Sequence, residues 1–212
     1  MKALVIGATG AVGKDLTEQL LADSRFDRVE IFVRRDVNLK SEKLTVHKVD
    51  FDRPESWSEL LTGDVLFSCM GTTIKAAGSQ DAQWKVDYTY QLDAAKAARA
   101  NGVPTYVLVS SIGADSHSKL FYPRMKGALE EAVLKLGFEG CFILRPPSLV
   151  RKGSDRFGEK VSVSILRACN KIGIMRSLAP MPTENVAAAM IRLALSGRKG
   201  TETVSSQEIL RV

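Results

Sequence analysis

Apolar runs rich in branched and aromatic residues recur along the chain, most with a helical stretch before the next: KALVI at 2–6, VEIFV at 29–33, LTVHKV at 44–49, DVLFSC at 64–69, TYVLVSS at 105–111 and CFILR at 141–145. Several are apolar throughout rather than alternating, the pattern of strands covered on both faces. Helices are expected at 12–23, 55–62, 81–101, 119–136, 159–170 and 183–196. Parallel neighbours need a long, right-handed crossover, so this alternation predicts an α/β fold: a doubly wound parallel sheet with helices on both faces. Asn101-Gly102 and Gly137 close two of the helices, and Pro182-Thr183-Glu184-Asn185 opens the last. Between 146 and 182 the periodicity weakens around prolines and glycines, which predicts a small C-terminal cap on the substrate side of a single domain spanning 1–212.

The stretch KALVIGATGAVGKDL at 2–16 joins the first strand to the first helix through a glycine-rich turn. Such a turn aims backbone N–H groups at the helix N-terminus, where the macrodipole favours a phosphate. A nucleoside-triphosphate loop would require G-x-x-x-x-G-K-[ST]. Here Asp15 follows Gly13-Lys14, so the magnesium hydroxyl is missing, and Ala8 stands where the leading glycine belongs. The dinucleotide reading fits better. Gly7, Gly10 and Gly13 can serve the tight turn, the close approach to a pyrophosphate and the helix–strand contact of a Rossmann-type fold, with Thr9, Ala11 and Val12 beside them.

With 45% hydrophobic and 25% charged residues, the 212-residue chain has material for one sizeable core. No apolar run approaches a membrane span and the N-terminus enters a strand at once, so a cytoplasmic protein is the expectation. Cys69, Cys141 and Cys169 show no C-x-x-C spacing and read as reduced thiols. Neither His47, within a strand, nor His117, in a loop, has a partner at metal-ligand spacing, so no metal is expected. The net charge of +6 comes entirely from residues beyond 144, Arg145, Arg151, Lys152, Arg156, Lys160, Arg167, Lys171 and Arg176 prominent among them. That basic region could attract an acidic protein partner or equally form a solvated face; no aromatic stripe accompanies it, which disfavours single-stranded nucleic acid.

After TYVLVSS comes FYPRMKGALEE, in which Tyr122 and Lys126 are spaced to share one helix face. A neighbouring ammonium stabilises a phenolate and makes a phenol a better proton relay. Pro123 belongs in a first helical turn and so sets Tyr122 at the helix start. Ser111, at the carboxyl end of a strand, can bond the same substrate oxygen, with Ser110 as the alternative hydroxyl.

Together, the G-A-T-G-x-x-G loop at Gly7–Gly13, the S-S-x-G-A-D segment at Ser110–Asp115 and Y-x-x-x-K at Tyr122–Lys126 resemble the atypical short-chain dehydrogenase/reductases. CMGTT at 69–73, KVDYTYQLDAAKAARANGV at 85–103 and LRPPSLV at 144–150 resemble, more narrowly, the small NAD(P)H-binding oxidoreductases related to the Tat-interacting protein family. The resemblance implies Tyr122 as general acid or base, Lys126 as its partner and a contact to the nicotinamide ribose, and Ser111 as orienter of a carbonyl. It also implies Asp50 near the adenine and Met70, Gly71 and Thr72 beside the cofactor. The chain departs from the family pattern at Cys69-Met70, where leucine is common, and at Arg145-Pro146-Pro147, where R-P-G is usual. Asp87 and Tyr88 are family features that helix packing explains as well.

An acidic residue some twenty positions past the glycines selects NAD, whereas arginine there accommodates a 2′-phosphate. Arg34 and Arg35 follow VEIFV, with Asp36 only third, so NADP(H) is expected over NAD(H). Three functions are open: NADPH-dependent reduction of a carbonyl, enone or quinone of a small molecule; a non-catalytic NADP(H)-responsive partner-binding protein; or nucleotide-sugar epimerase or dehydratase chemistry, disfavoured by the short segment after Pro146. Oligomeric state is left open by the sequence.

Overall fold

The computed structural model of the chain describes residues 1–150 and 179–212. The six apolar runs form β1 (Lys2–Ile6), β2 (Arg28–Val33), β3 (Leu44–Lys48), β4 (Val65–Ser68), β5 (Thr105–Val109) and β6 (Gly140–Leu144). Two short strands, β7 (Leu149–Val150) and β8 (Met181–Pro182), pair with each other, and β9 (Gly200–Val204) joins the main sheet. The seven strands of that sheet lie in the order β3-β2-β1-β4-β5-β6-β9, every pair parallel. This is the doubly wound order of the expected Rossmann-type fold, and the order reverses between β1 and β4.

The unbroken apolar character of β1, β4 and β6 matches their position inside the sheet, where nearly every residue is buried, while β3 and β9 at the edges are largely exposed. One face is covered by α1 (Ala11–Ala22) and α6 (Thr183–Leu195), whose Leu16, Leu20, Val186 and Met190 join Val5, Phe67 and Val107 in one core. On the other face lie α2 (Ile74–Ala77), α3 (Gln80–Trp84), α4 (Tyr90–Ala100) and α5 (Phe121–Leu134). Tyr90, Ala95, Leu129 and Val133 pack there on Leu4, Leu66 and Ile143. Each large side chain so buried contributes about 1.5–3 kcal/mol. α3 and α4 are one helix interrupted by a π turn, Lys85–Thr89, one residue wider than an α turn.

Two expectations change. The 55–62 helix is two 3₁₀ turns, Pro54–Ser56 and Ser58–Leu60, because Trp57 between them leaves the helical φ/ψ region, buries its ring and donates its indole N–H to the Asp50 carbonyl at 2.8 Å. β9, GTETV, was not expected; an edge strand half open to solvent needs no apolar run. Of the cap, only the β7–β8 pair and its flanks can be described; the 159–170 helix, Cys169 and the basic residues from Arg151 to Arg176 lie outside the described residues.

Candidate functional site

The glycine turn sits where β1 ends. Gly10 N–H donates to the Gly7 carbonyl at 2.9 Å, and Lys14 N–H closes the first helical bond onto Gly10. Gly7 has a φ of +79°, and a Cβ there would lie 2.5 Å from the Cys69–Met70 peptide; a Cβ on Gly13 would lie 2.1 Å from the Gly7 carbonyl oxygen. These two positions exclude any side chain. No side chain caps α1 and no acidic residue stands in its first turn, which leaves the N–H groups of that turn available to an anion. The cradle fits a pyrophosphate.

Two adjoining cavities run along the carboxyl edge of the sheet and share Gly10, Cys69, Met70 and Gly71. The smaller, about 110 Å³, is lined by Gly7, Thr9, Phe32, Arg34, Phe51 and Val86. Arg34 reaches it without an ion pair to any described residue, while Arg35 does not line it. The Asp36 carboxylate is held by Lys48 at 2.8 Å. Asp50 does not line this cavity either: its carboxylate accepts the Asp52 N–H at 3.0 Å and lies 3.9 Å from Arg53, and the cavity wall at this point is the next residue, Phe51. Phe51 is fixed by stacking on Tyr90 and edge contact with Trp57. Tyr90 in turn donates to Asp52 at 2.5 Å, and Lys85 pairs with the same carboxylate at 2.6 Å.

The larger cavity, about 340 Å³, takes Ala11 and Val12 from α1, Met70, Gly71 and Thr72 after β4, Asp87 from the π turn, Ser110 after β5, and Tyr122 and Lys126 from α5. Tyr122 is the second residue of α5 and 40% exposed; Lys126, one turn on, is 2% exposed and donates to the Val109 carbonyl at 3.3 Å. The spacing read from sequence therefore does bring the phenol and the ammonium to one cavity.

Of the two serines, Ser110 lines the cavity; Ser111 does not, and its hydroxyl donates to the Ile112 carbonyl. Ser110 donates its own proton to buried Glu130, which also receives Arg145 in a bidentate pair, Nε to Oε1 at 3.1 Å and Nη2 to Oε2 at 2.5 Å. The Glu130 hydrogen bond and charge raise the Arg145 pKa further above its usual value. Nothing in the sequence marked Glu130, one carboxylate among many on a helix. Gly127 was also missed: a Cβ there would lie 2.2 Å from the Ser116 N, so this glycine lets α5 press against the loop that follows β5. A glycine inside a helix was the available signal.

Asp87 is 1% exposed. Its Oδ2 accepts the Thr72 N–H at 2.8 Å, and its Oδ1 has no hydrogen-bond partner. Burial pushes this carboxyl up to about 6, against the opposing pull of the Lys126 charge and the Thr72 N–H. Elsewhere, His47 pairs with buried Glu30 at 2.9 Å, and among the described residues no group of three or more His, Cys, Asp or Glu could hold a metal ion. Cys69 and Cys141 are free and buried. No described helix is long and apolar enough to cross a membrane.

A parallel sheet of this order, with a glycine cradle at its switch point, defines a dinucleotide-binding Rossmann-type protein. The chain belongs to the NAD(P)H-binding family, whose sequence model matches residues 7–139. Among its relatives are the proteins named "Protein FMP52, mitochondrial" of Kluyveromyces lactis, 34% identical over 100% of this chain and 98% of the relative, and of Saccharomyces cerevisiae, 33% identical over 100% and 96%. In fold it is similar to MoeE5 in complex with UDP-glucose and NAD, with a TM-score of 0.74 and 16% identity over 100% of this chain and 80% of that one. The oxidoreductase ylbE of Lactococcus lactis matches with a TM-score of 0.70 and 18% identity over 100% and 95%. The expectation of a cytoplasmic protein does not stand, because relatives matched over the full chain are named mitochondrial. A lack of apolar spans in sequence bears on membrane crossing, not on compartment.

Proposed function

We propose that the protein is an NADPH-dependent oxidoreductase that reduces a carbonyl, enone or quinone of a small molecule. The observation that carries this reading is the meeting of Tyr122, Lys126 and Ser110 in a cavity continuous with the glycine cradle. Bound NADPH would supply the hydride to the electrophilic carbon. The Tyr122 hydroxyl gives its proton to the substrate oxygen, and the Lys126 ammonium, oriented by the Val109 carbonyl, stabilises the phenolate left behind until solvent returns the proton. Ser110 takes the place first considered for Ser111. Since its proton is committed to Glu130, it can accept only from a hydroxyl or N–H of the ligand and does not hold the carbonyl oxygen; the donor to the reacting oxygen is Tyr122. Arg34 at the smaller cavity is the contact for a 2′-phosphate, the basis for preferring NADP(H).

The partner-binding alternative rests on Arg151 and Lys152, which lie outside the described residues; of the described basic residues of the C-terminal region, Arg145 pairs with Glu130, Arg198 with Glu202 and Lys199 with Glu139. The test is a fluorescence titration with NADPH and NADH, followed by NADPH oxidation against aldehydes, ketones and quinones. Tyr122→Phe should keep its NADPH affinity and lose turnover by about 10²–10⁴-fold, the usual worth of a positioned proton donor. Full turnover in that variant would overturn the assignment.

A further inference from the structure

A buried carboxylate oxygen without a partner is costly, and each one in a folded protein calls for a reason. Asp87 Oδ1 is such an oxygen, and Asp87 lines the larger cavity. Gly71 lies beside it: a Cβ at that position would sit 3.5 Å from Oδ1. Lys126, whose charge acts on Asp87, spends a hydrogen bond on the Val109 carbonyl instead. The residue itself is held firmly. Oδ2 accepts the Thr72 N–H at 2.8 Å, Gln91 donates to the Asp87 carbonyl at 2.7 Å, and Gln91 also accepts the Ser68 hydroxyl. One oxygen is therefore structural, and the other has no partner in a residue of the cavity wall.

We propose that Asp87 is a further cofactor-binding residue, whose Oδ1 accepts a hydrogen bond from a neutral donor of the nicotinamide riboside, a ribose hydroxyl or the carboxamide N–H. This rests on the reading of the larger cavity as the nicotinamide end of the site. Because Asp87 binds such a donor best as carboxylate, and its carboxyl titrates near 6, cofactor affinity rises as pH increases through that range. The titratable groups that share the cavity with it are Lys126 and Tyr122 from α5 and Cys69 after β4; Ser110 faces it with its proton on Glu130.

The test compares NADPH with 2′,5′-ADP, which lacks the nicotinamide riboside, on the wild-type protein and Asp87→Asn. An asparagine oxygen would keep the Thr72 N–H, turning its amide donor toward the cavity. Asp87→Asn should weaken NADPH about tenfold or more, as loss of a hydrogen bond to a charged group does, and leave 2′,5′-ADP unaffected. The ratio of the two affinities cancels titration of the shared 2′-phosphate; it should fall below about pH 6 in wild type and stay flat in the variant. The 3-acetylpyridine analogue of NADPH, which has no carboxamide N–H, separates the sources: a further loss with Asp87→Asn points to the ribose, and no further loss to the carboxamide. Equal weakening of NADPH and 2′,5′-ADP would show that Asp87 only supports the fold, and unchanged NADPH affinity that it makes no contact; either overturns the inference alone. Wild-type protein that bound neither nucleotide would remove the dinucleotide reading as well.

Discussion

At the Gly7–Gly13 end of the cleft the chain makes room by leaving atoms out, whereas at the α5 end it supplies polar atoms and then holds them in place with others. The glycine cradle is backbone against backbone: the spaces beside Gly7 and Gly13 are too small for a methyl group, and the ligand-facing groups are peptide N–H donors. The α5 cavity is built from Ser110, Asp87, Tyr122 and Lys126, each positioned by a partner or a helix start. The first plan fixes geometry sterically and tolerates almost no substitution there. The second depends on hydrogen bonds of graded strength, so its failures should be graded too.

The sharpest way to break that contrast is Gly13→Ala. With the new Cβ 2.1 Å from the Gly7 carbonyl oxygen, α1 must lift off the turn, and we expect a loss of about 3 kcal/mol or more in stability together with nucleotide binding. Gly10→Ala is the control for stability alone: its Cβ would lie 3.1 Å from the same oxygen, a contact relieved by a small shift. Thermal unfolding of both variants and an NADPH titration of Gly13→Ala decide it, and a Gly13→Ala protein as stable and as tight-binding as wild type would refute the steric account. Next in size is Glu130→Ala at the other end. It leaves Arg145 without its carboxylate and Ser110 without its acceptor, and urea unfolding should show a loss of about 2 kcal/mol, less than for a fully buried pair because Arg145 is partly exposed. Ser110→Ala should cost only about 1 kcal/mol, the worth of one hydrogen bond. The Arg34 contact is read in binding rather than stability and is of comparable size. Arg34→Ala should weaken NADPH about tenfold and leave NADH unchanged, with Arg35→Ala close to neutral for both, as measured by parallel titration. A larger effect at Arg35 would move the phosphate contact one residue along.

The contrast also explains what was legible in the sequence. The cradle is written locally: glycines at fixed spacing between a strand and a helix state a steric requirement without reference to the rest of the chain. Tyr122 and Lys126 are legible for a related reason, since helix periodicity alone places them on one face. The near misses are single-residue ones. Ser110 against Ser111 and Phe51 against Asp50 are each decided at a strand end, where a shift of one position sends a side chain to the other side. Asp87 was discounted because helix packing accounts for a buried aspartate equally well; only the π turn, Gly71 and the tertiary contact with Thr72 distinguish the two. Glu130 and Arg145 come together across a helix and a strand, a pairing that charge counts cannot see.

The wide turn at Lys85–Thr89 acts as a dislocation in an otherwise regular helix. Gln83 on one side of it donates to the Thr72 carbonyl at 2.9 Å, and Asp87 within it accepts the Thr72 N–H, so both polar groups of one peptide unit's flanking residue are gripped from a single helix edge. Removing one residue between them would heal the dislocation and rotate Gln83 by about 100° relative to Asp87. The grip would then open, and with it the turn whose Cys69, Met70 and Gly71 line both cavities.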